Sequence, residues 1–301
     1  MPRICPSVRL LRQQRPLLNG LLARSHIPAA LQILRPLNVV LTCAAVLLGG
    51  WLSSHSLSVE LFLASLAAAL IAAAGYIHND IIDLPVDRVS HPLRALPSGR
   101  ISVAAAWMLS VALGTLGLGI PFLLPLPCVW IGIATILVLL LYNFRLKHFP
   151  LAGNIAVALL GGIPILFGGL AVGDPYPALL PGILAAAVHL AREIVKDLQD
   201  SEGDLLAGSH TLPHAIGPTG SRTLVTLILA SLLIAIPLPG FLLVTGPVYL
   251  IFALLLDVII LLVFVHLWGA QTSNELETPS RLLKLVLLIG LGAFLADALS
   301  I

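Results

Sequence analysis

The sequence predicts an all-α, polytopic membrane protein with about nine transmembrane helices. The first observation behind this prediction is composition: the 301-residue chain is 58% hydrophobic and 10% charged, whereas a soluble domain carries roughly 25% charged residues. The second is a mean hydropathy of +1.05. The third is the recurrence of apolar runs of about 20 residues, the length that crosses a bilayer core.

The predicted spans follow one another along almost the whole chain. They cover residues 37–54, 58–78, 102–120, 126–142, 152–172, 178–195, 222–240, 246–268 and 281–300. Pro36 opens the first span, and proline suits the first turn of a helix. Around the third and fourth spans, Pro121, Pro125 and Pro127 leave total counts of eight or ten open as alternatives.

Charge placement supports nine spans with the N-terminus in the cytoplasm. All 16 Lys and Arg residues lie in or close beside the segments that this arrangement places inside: 1–36, 79–101, 143–151, 196–221 and 269–284. The opposite loops contain none: 51–60, 120–127, 172–181 and 237–248. Since cytoplasmic loops are enriched in Lys and Arg, we expect a multi-pass cell-membrane protein whose long polar loops face the cytoplasm.

Residues 1–35 are predicted to form a basic cytoplasmic arm ahead of a transmembrane domain at 36–301. The arm carries six Arg and no acidic residue. This composition suits contact with anionic lipid, and a transit-type segment is the alternative. The cysteines are scattered and indicate no disulfide framework.

Two acidic clusters follow the second and sixth predicted spans, on the side assigned to the cytoplasm. They hold seven of the 14 acidic residues and one amide: Asn79, Asp80, Asp83 and Asp87, then Asp197, Asp200, Glu202 and Asp204. On a helix, Asn79, Asp83 and Asp87 form one stripe, and Asp197, Asp200 and Asp204 form another. Solvated turns are the plain interpretation of a single cluster, but two clusters at matched positions favour a function.

The acidic stripes predict divalent cations. Mg²⁺ in proteins is held by one or two carboxylates together with substrate phosphates, and a bound cation removes the repulsion between facing carboxylates. We therefore expect Mg²⁺ at Asn79, Asp83, Asp87, Asp197, Asp200 and Asp204, gripping a phosphate or diphosphate. Pro85 lies inside the first stripe and predicts a bend ahead of Asp87.

Basic residues beside these clusters are candidates for contacts with phosphate oxygens. Arg94 and Arg100 follow the first cluster, Arg192 and Lys196 precede the second, and Lys147 ends the fourth span near Tyr142 and Asn154. Glu193 is interpreted as a base or as a partner of Arg192 or Lys196. Arg35 and Asn38 open the first span.

These residues resemble the motifs of the UbiA superfamily of intramembrane prenyltransferases. The matches are N-D-x-x-D-x-x-x-D at Asn79–Asp87, D-x-x-D-x-x-x-D at Asp197–Asp204, Arg35-Pro36-x-Asn38, and Tyr142 with Lys147 followed by Gly153-Asn154. The resemblance covers residues 30–300. It implies a UbiA-like bundle around a central cavity, Mg²⁺ as cofactor and a polyprenyl diphosphate as substrate.

The resemblance also implies roles for single residues. Catalytic roles fall to Lys147, Tyr142, Arg94, Arg192 and Lys196. Substrate binding falls to Arg35, Asn38, Asn154, Arg100 and Asp80. Membrane lipids are the surroundings, and no nucleic-acid partner is expected.

Within the superfamily, the stretches from Arg192 to Asp204 and from Pro97 to Ser102 resemble digeranylgeranylglyceryl phosphate synthases. This implies transfer of a geranylgeranyl group to the hydroxyl of geranylgeranylglyceryl phosphate, in ether-lipid biosynthesis. Chlorophyll synthase-like and quinone-type aromatic prenyltransferases are the alternatives. A polytopic transporter is a hypothesis of another class, but its acidic residues would lie near the midplane within broken helices, whereas these cluster at helix ends on one side.

Overall fold

The computed structural model describes residues 28–206, 211–242 and 244–300, without the side chains of 202–206. All regular secondary structure in this part of the chain is helical. Of the predicted arm at 1–35, residues 1–27 lie outside the described residues.

Twelve α-helices are described in chain order. They are α1 (Ala29–Leu34), α2 (Pro36–Ser54), α3 (Val59–Ile82), α4 (Leu84–Ser90), α5 (Val103–Gly119), α6 (Leu126–Phe144), α7 (Ala152–Ala171), α8 (Tyr176–Leu206), α9 (Leu212–Ala235), α10 (Leu238–Phe241), α11 (Pro247–Gly269) and α12 (Glu277–Ser300). Short 3₁₀ turns at Ile120–Leu123, Leu146–His148 and Ser273–Leu276 join some of them.

Nine of the helical segments in the described ranges are long and apolar enough to cross a membrane, which confirms the predicted number. They are α2, α3, α5, α6, α7, α8, α9, α11 and α12, some extended by an adjoining short turn. The largest differences from the predicted bounds lie around the second polar loop. There α8 continues to Leu206 instead of ending at 195, and α9 begins at Leu212 instead of 222.

Glycine allows three helices to pack closely at the centre of the bundle. The fifth span, α7, packs against both α2 and α8. A Cβ atom on Gly168 would lie 1.9 Å from the carbonyl oxygen of Val46 on α2, and one on Gly162 would lie 2.4 Å from that of Gly182 on α8. Small residues permit such close approach of membrane helices.

The second and sixth spans, which carry the acidic motifs, do not pack directly on each other in the described part of the chain. Instead, α3 and α8 both pack on α2 and α7. The two motifs are therefore held apart by a shared pair of helices. This spacing leaves room between the motifs at one end of the bundle.

Candidate active site

The first acidic motif lies across a break between two helices. Asn79 and Asp80 lie in the last turn of α3, and Asp83 caps its C-terminus. Pro85 then lies in the first turn of α4, where a proline costs no hydrogen bond. The predicted bend is therefore a helix boundary at Asp83, and it turns the Asp87 side chain inward to a position only 4% exposed.

Each carboxylate of the first motif forms an ion pair with a basic residue from outside the motif: Asp80 with Arg35, Asp83 with Lys147 and Asp87 with Arg94. One guanidinium nitrogen of Arg94 donates to both oxygens of Asp87, at 2.8 and 2.7 Å. The Asn79 amide donates to Asp83 at 2.8 Å. Two of the three neutralising residues, Lys147 and Arg94, were predicted to contact phosphate, and Arg35 was assigned to substrate binding by resemblance.

The second acidic motif lies on one uninterrupted helix, α8. Asp197 is half-buried and accepts a hydrogen bond of 2.8 Å from the Asn154 amide on α7. Asp200 is exposed, close enough to Lys196 and to His91 of the first loop for the charges to interact. The side chain of Asp204 lies outside the described residues. The first loop and the second motif therefore lie at the same end of the bundle.

A small cleft lies between α6, α7 and α8. Its walls include five residues from the sequence analysis: Tyr142, Lys147, Asn154, Glu193 and Asp197. The Lys147 ammonium bonds Asp83 from this cleft, so Lys147 links the cleft to the first motif, whose own carboxylates do not line it. A phosphorylated group bound here would meet Lys147 and the carboxylates of Glu193 and Asp197.

Some predicted site residues lie elsewhere. Arg100 donates to the Gln32 side chain of α1 at 2.6 Å and to the Leu93 carbonyl at 2.8 Å, so it braces the first loop against α1. Asn38 lies one turn into α2 and does not line the cleft. The Arg192 and Lys196 side chains both turn to Glu193, at 3.1 and 3.0 Å.

A buried polar pair that the motifs did not indicate lies directly behind the first motif. The His78 Nδ1 atom and the Asn143 amide are 2.7 Å apart, and the two residues are 5% and 1% exposed. His78 precedes Asn79, while Asn143 follows Tyr142. Their positions next to motif residues were the only sequence signal. The pair joins the end of α3 to the end of α6.

The donor set suits Mg²⁺ that is shared with a substrate. In the described part of the chain, no three His, Cys, Asp or Glu side chains converge closely enough to hold a metal ion by themselves. Mg²⁺ prefers hard oxygen ligands and commonly takes one or two carboxylates plus phosphate oxygens. The residues present therefore fit a metal that binds together with a phosphorylated ligand, and they do not form a complete protein cage.

Comparison with known proteins gives three concordant findings. The model of the UbiA prenyltransferase family matches residues 38–288. The digeranylgeranylglyceryl phosphate synthase of Methanopyrus kandleri is 36% identical over 271 residues, covering 90% of this chain and 99% of that protein. A solved structure of digeranylgeranylglyceryl phosphate synthase has 29% identity and a TM-score of 0.77, covering 91% of this chain and 98% of the other.

A more distant solved structure shares the fold. It is a UbiA homolog from Archaeoglobus fulgidus bound to GPP and Mg²⁺, with a TM-score of 0.65 at 20% identity. It covers 88% of this chain and 99% of its own.

Proposed function

The chain belongs to the UbiA prenyltransferase family, and from this we propose that it transfers a geranylgeranyl group from its diphosphate to the free hydroxyl of geranylgeranylglyceryl phosphate. The observation that carries the proposal is the cleft beside the second motif, from which Lys147 reaches Asp83 of the first motif. It presents carboxylates for metal ions and cations for phosphate at one end of an apolar bundle. The product would be an ether-lipid precursor.

Asn79, Asp83 and Asp87 of the first motif and Asp197, Asp200 and Asp204 of the second would hold Mg²⁺ together with the diphosphate. When bound, Mg²⁺ supplies electrostatic stabilisation of the leaving diphosphate. Asn79 and Asn154 orient the motif carboxylates, since each donates to one of them at 2.8 Å. Asp80 holds Arg35 at the mouth of the first span.

The cations of the site neutralise the phosphate oxygens that the metals do not reach. Lys147 lines the cleft with its side chain only 16% exposed, so its charge is weakly screened and strongly felt by a bound anion. Arg94, Arg192 and Lys196 lie nearby on the carboxylates that they now neutralise. As the allylic C–O bond weakens, these donors stabilise the charge that develops on the leaving group.

The acceptor assignment rests on the relatives and on the second motif. The curated relative and the structure at 29% identity are both digeranylgeranylglyceryl phosphate synthases. Chlorophyll synthase-like or aromatic acceptors are the alternatives within the family. A transporter is set aside, because the family is one of prenyltransferases. We propose a cytoplasmic position for the N-terminus and the site from the placement of Lys and Arg.

The proposal is tested with purified protein, geranylgeranyl diphosphate and a panel of acceptors. We expect Mg²⁺-dependent release of diphosphate and a product whose mass is that of digeranylgeranylglyceryl phosphate. Asp83→Ala and Asp200→Ala are each expected to lower turnover by at least about 100-fold, because loss of one electrostatic contact to the transition state costs that much. Both variants should unfold at temperatures close to the wild-type value.

Glu277→Gln is the matched control, since Glu277 is an exposed acid that pairs with Arg281 on α12. Its turnover should stay at the wild-type value. If the protein transfers the prenyl group only to an aromatic acceptor, geranylgeranylglyceryl phosphate is contradicted as the acceptor. Wild-type turnover in either Asp variant would remove that residue from the metal site.

A further inference from the structure

Glu193 is an acidic residue of the cleft that the metal stripes do not use. It lies on α8 four residues before Asp197, and both line the same cleft. Its side chain is 13% exposed. Residues four apart lie on one face of a helix, so Glu193 continues the acidic stripe by one turn towards the middle of the membrane span.

At this depth, Glu193 would lie level with the reacting carbon of a bound prenyl diphosphate. One turn of α-helix is about 5.4 Å, so Glu193 lies roughly that far inside the level of Asp197. A prenyl diphosphate held at Asp197 extends its chain away from the phosphates towards the apolar interior. Its first carbon, and the acceptor oxygen about 3–3.5 Å from it in a reactive arrangement, would then lie at the level of Glu193.

The partners of Glu193 are two cations that a bound diphosphate would also attract. Arg192 and Lys196 donate to its oxygens at 3.0–3.3 Å, and both cations are also proposed to contact the diphosphate. Binding of the prenyl diphosphate therefore competes with Glu193 for the two cations. Once they turn to the phosphates, the Glu193 carboxylate is free to face the cleft. An alcohol that has attacked carbon is a strong acid, so even a weakly basic carboxylate can accept its proton.

We propose that Glu193 is the general base that takes the proton of the acceptor hydroxyl, an inference that rests on the proposed function. The acceptor oxygen forms a bond to the first prenyl carbon, and the C–O bond to the diphosphate breaks with its electron pair leaving on the diphosphate. The hydroxyl proton moves to a Glu193 oxygen and is later released to water. The products are the ether, diphosphate and one proton.

The test uses Glu193→Gln and Glu193→Ala in the full-length protein. General-base catalysis contributes about 10²–10⁴-fold, so Glu193→Gln should lower kcat for transfer at least about 100-fold. Its KM for geranylgeranyl diphosphate should stay within about threefold of wild type, because the amide keeps the shape of the side chain. Formate supplied to Glu193→Ala should raise the rate at least about tenfold by replacing the missing base.

Glu277→Ala is the matched control, because Glu277 also pairs with a basic residue on its own helix but lies at an exposed position. It should show neither the loss nor a response to formate. An unchanged kcat in Glu193→Gln, or a Glu193→Ala rate that formate does not raise, would contradict the role of Glu193 as general base. Neither result would affect the proposed prenyl transfer. If the wild-type protein makes no ether with the hydroxyl acceptor, both the proposed function and the general-base role of Glu193 are contradicted.

Discussion

At the scale of single residues, the first acidic motif is notable for carrying its own counter-ions. Its three carboxylates pair with Arg35, Lys147 and Arg94. Without such partners, carboxylates at a membrane surface would repel one another. The pairing has a consequence for metal binding, since a metal ion that takes a carboxylate must compete with the cation already there.

Lys147→Met tests this competition. Removing the ammonium frees Asp83, so Mn²⁺ in the absence of diphosphate should bind more tightly, by up to about tenfold, equivalent to ~1.4 kcal/mol. Added inorganic diphosphate should strengthen metal binding less than in wild type, because the displaced cation is no longer there to receive it. Titration calorimetry with purified protein measures both quantities.

Arg281→Gln serves as the control for the lysine variant. It removes a basic residue whose partner, Glu277, lies outside both acidic motifs, so metal affinity should not change. Equal metal affinity in wild type and Lys147→Met would show that the Lys147–Asp83 pair does not compete with the metal.

At the scale of helices, α2 and α7 make the closest backbone approach among the described glycine positions. Gly168→Ala should lower the unfolding temperature and destabilise the fold by about 1–3 kcal/mol, because overpacking forces well-packed elements apart. The added Cβ would lie 1.9 Å from a backbone oxygen, which no side-chain rotation relieves. Thermal unfolding in detergent measures the change.

Gly292→Ala on α12 is the matched control. A Cβ atom there meets nothing within 4 Å, and alanine has the higher helix propensity. Its unfolding temperature should equal or slightly exceed the wild-type value. A Gly168→Ala protein as stable as Gly292→Ala would contradict the tight packing.

At the scale of the whole molecule, hydropathy predicted the membrane spans because each needs an apolar length fixed by the bilayer. It missed the polar continuation of α8 to Leu206 and the early start of α9 at Leu212. In those stretches the helix continues through polar residues. Gly217, with a φ of 77°, and Pro218 also kink α9 near its start.

The site was predictable as a set of motifs but not as a set of contacts. Spacing identified the acidic residues, whereas the pairing of Lys147 with Asp83 depends on how α3 and α6 pack, and that of Asn154 with Asp197 on how α7 and α8 pack. For the same reason, sequence could not show that Arg100 braces α1 through Gln32. Buried pairs such as His78 and Asn143 carry no spacing signal at all.

The orientation of the bundle is the last expectation, and it follows from charge alone. In a variant whose Cys5, Cys43 and Cys128 are replaced by serine, Ser56→Cys lies in a loop without Lys or Arg, and Thr272→Cys lies beside a basic segment. Both native residues are exposed. Because Lys and Arg are retained inside, a membrane-impermeant maleimide should label Ser56→Cys on intact cells and Thr272→Cys only after the membrane is opened. The reverse pattern would place the cleft on the outer face and contradict the proposed cytoplasmic site.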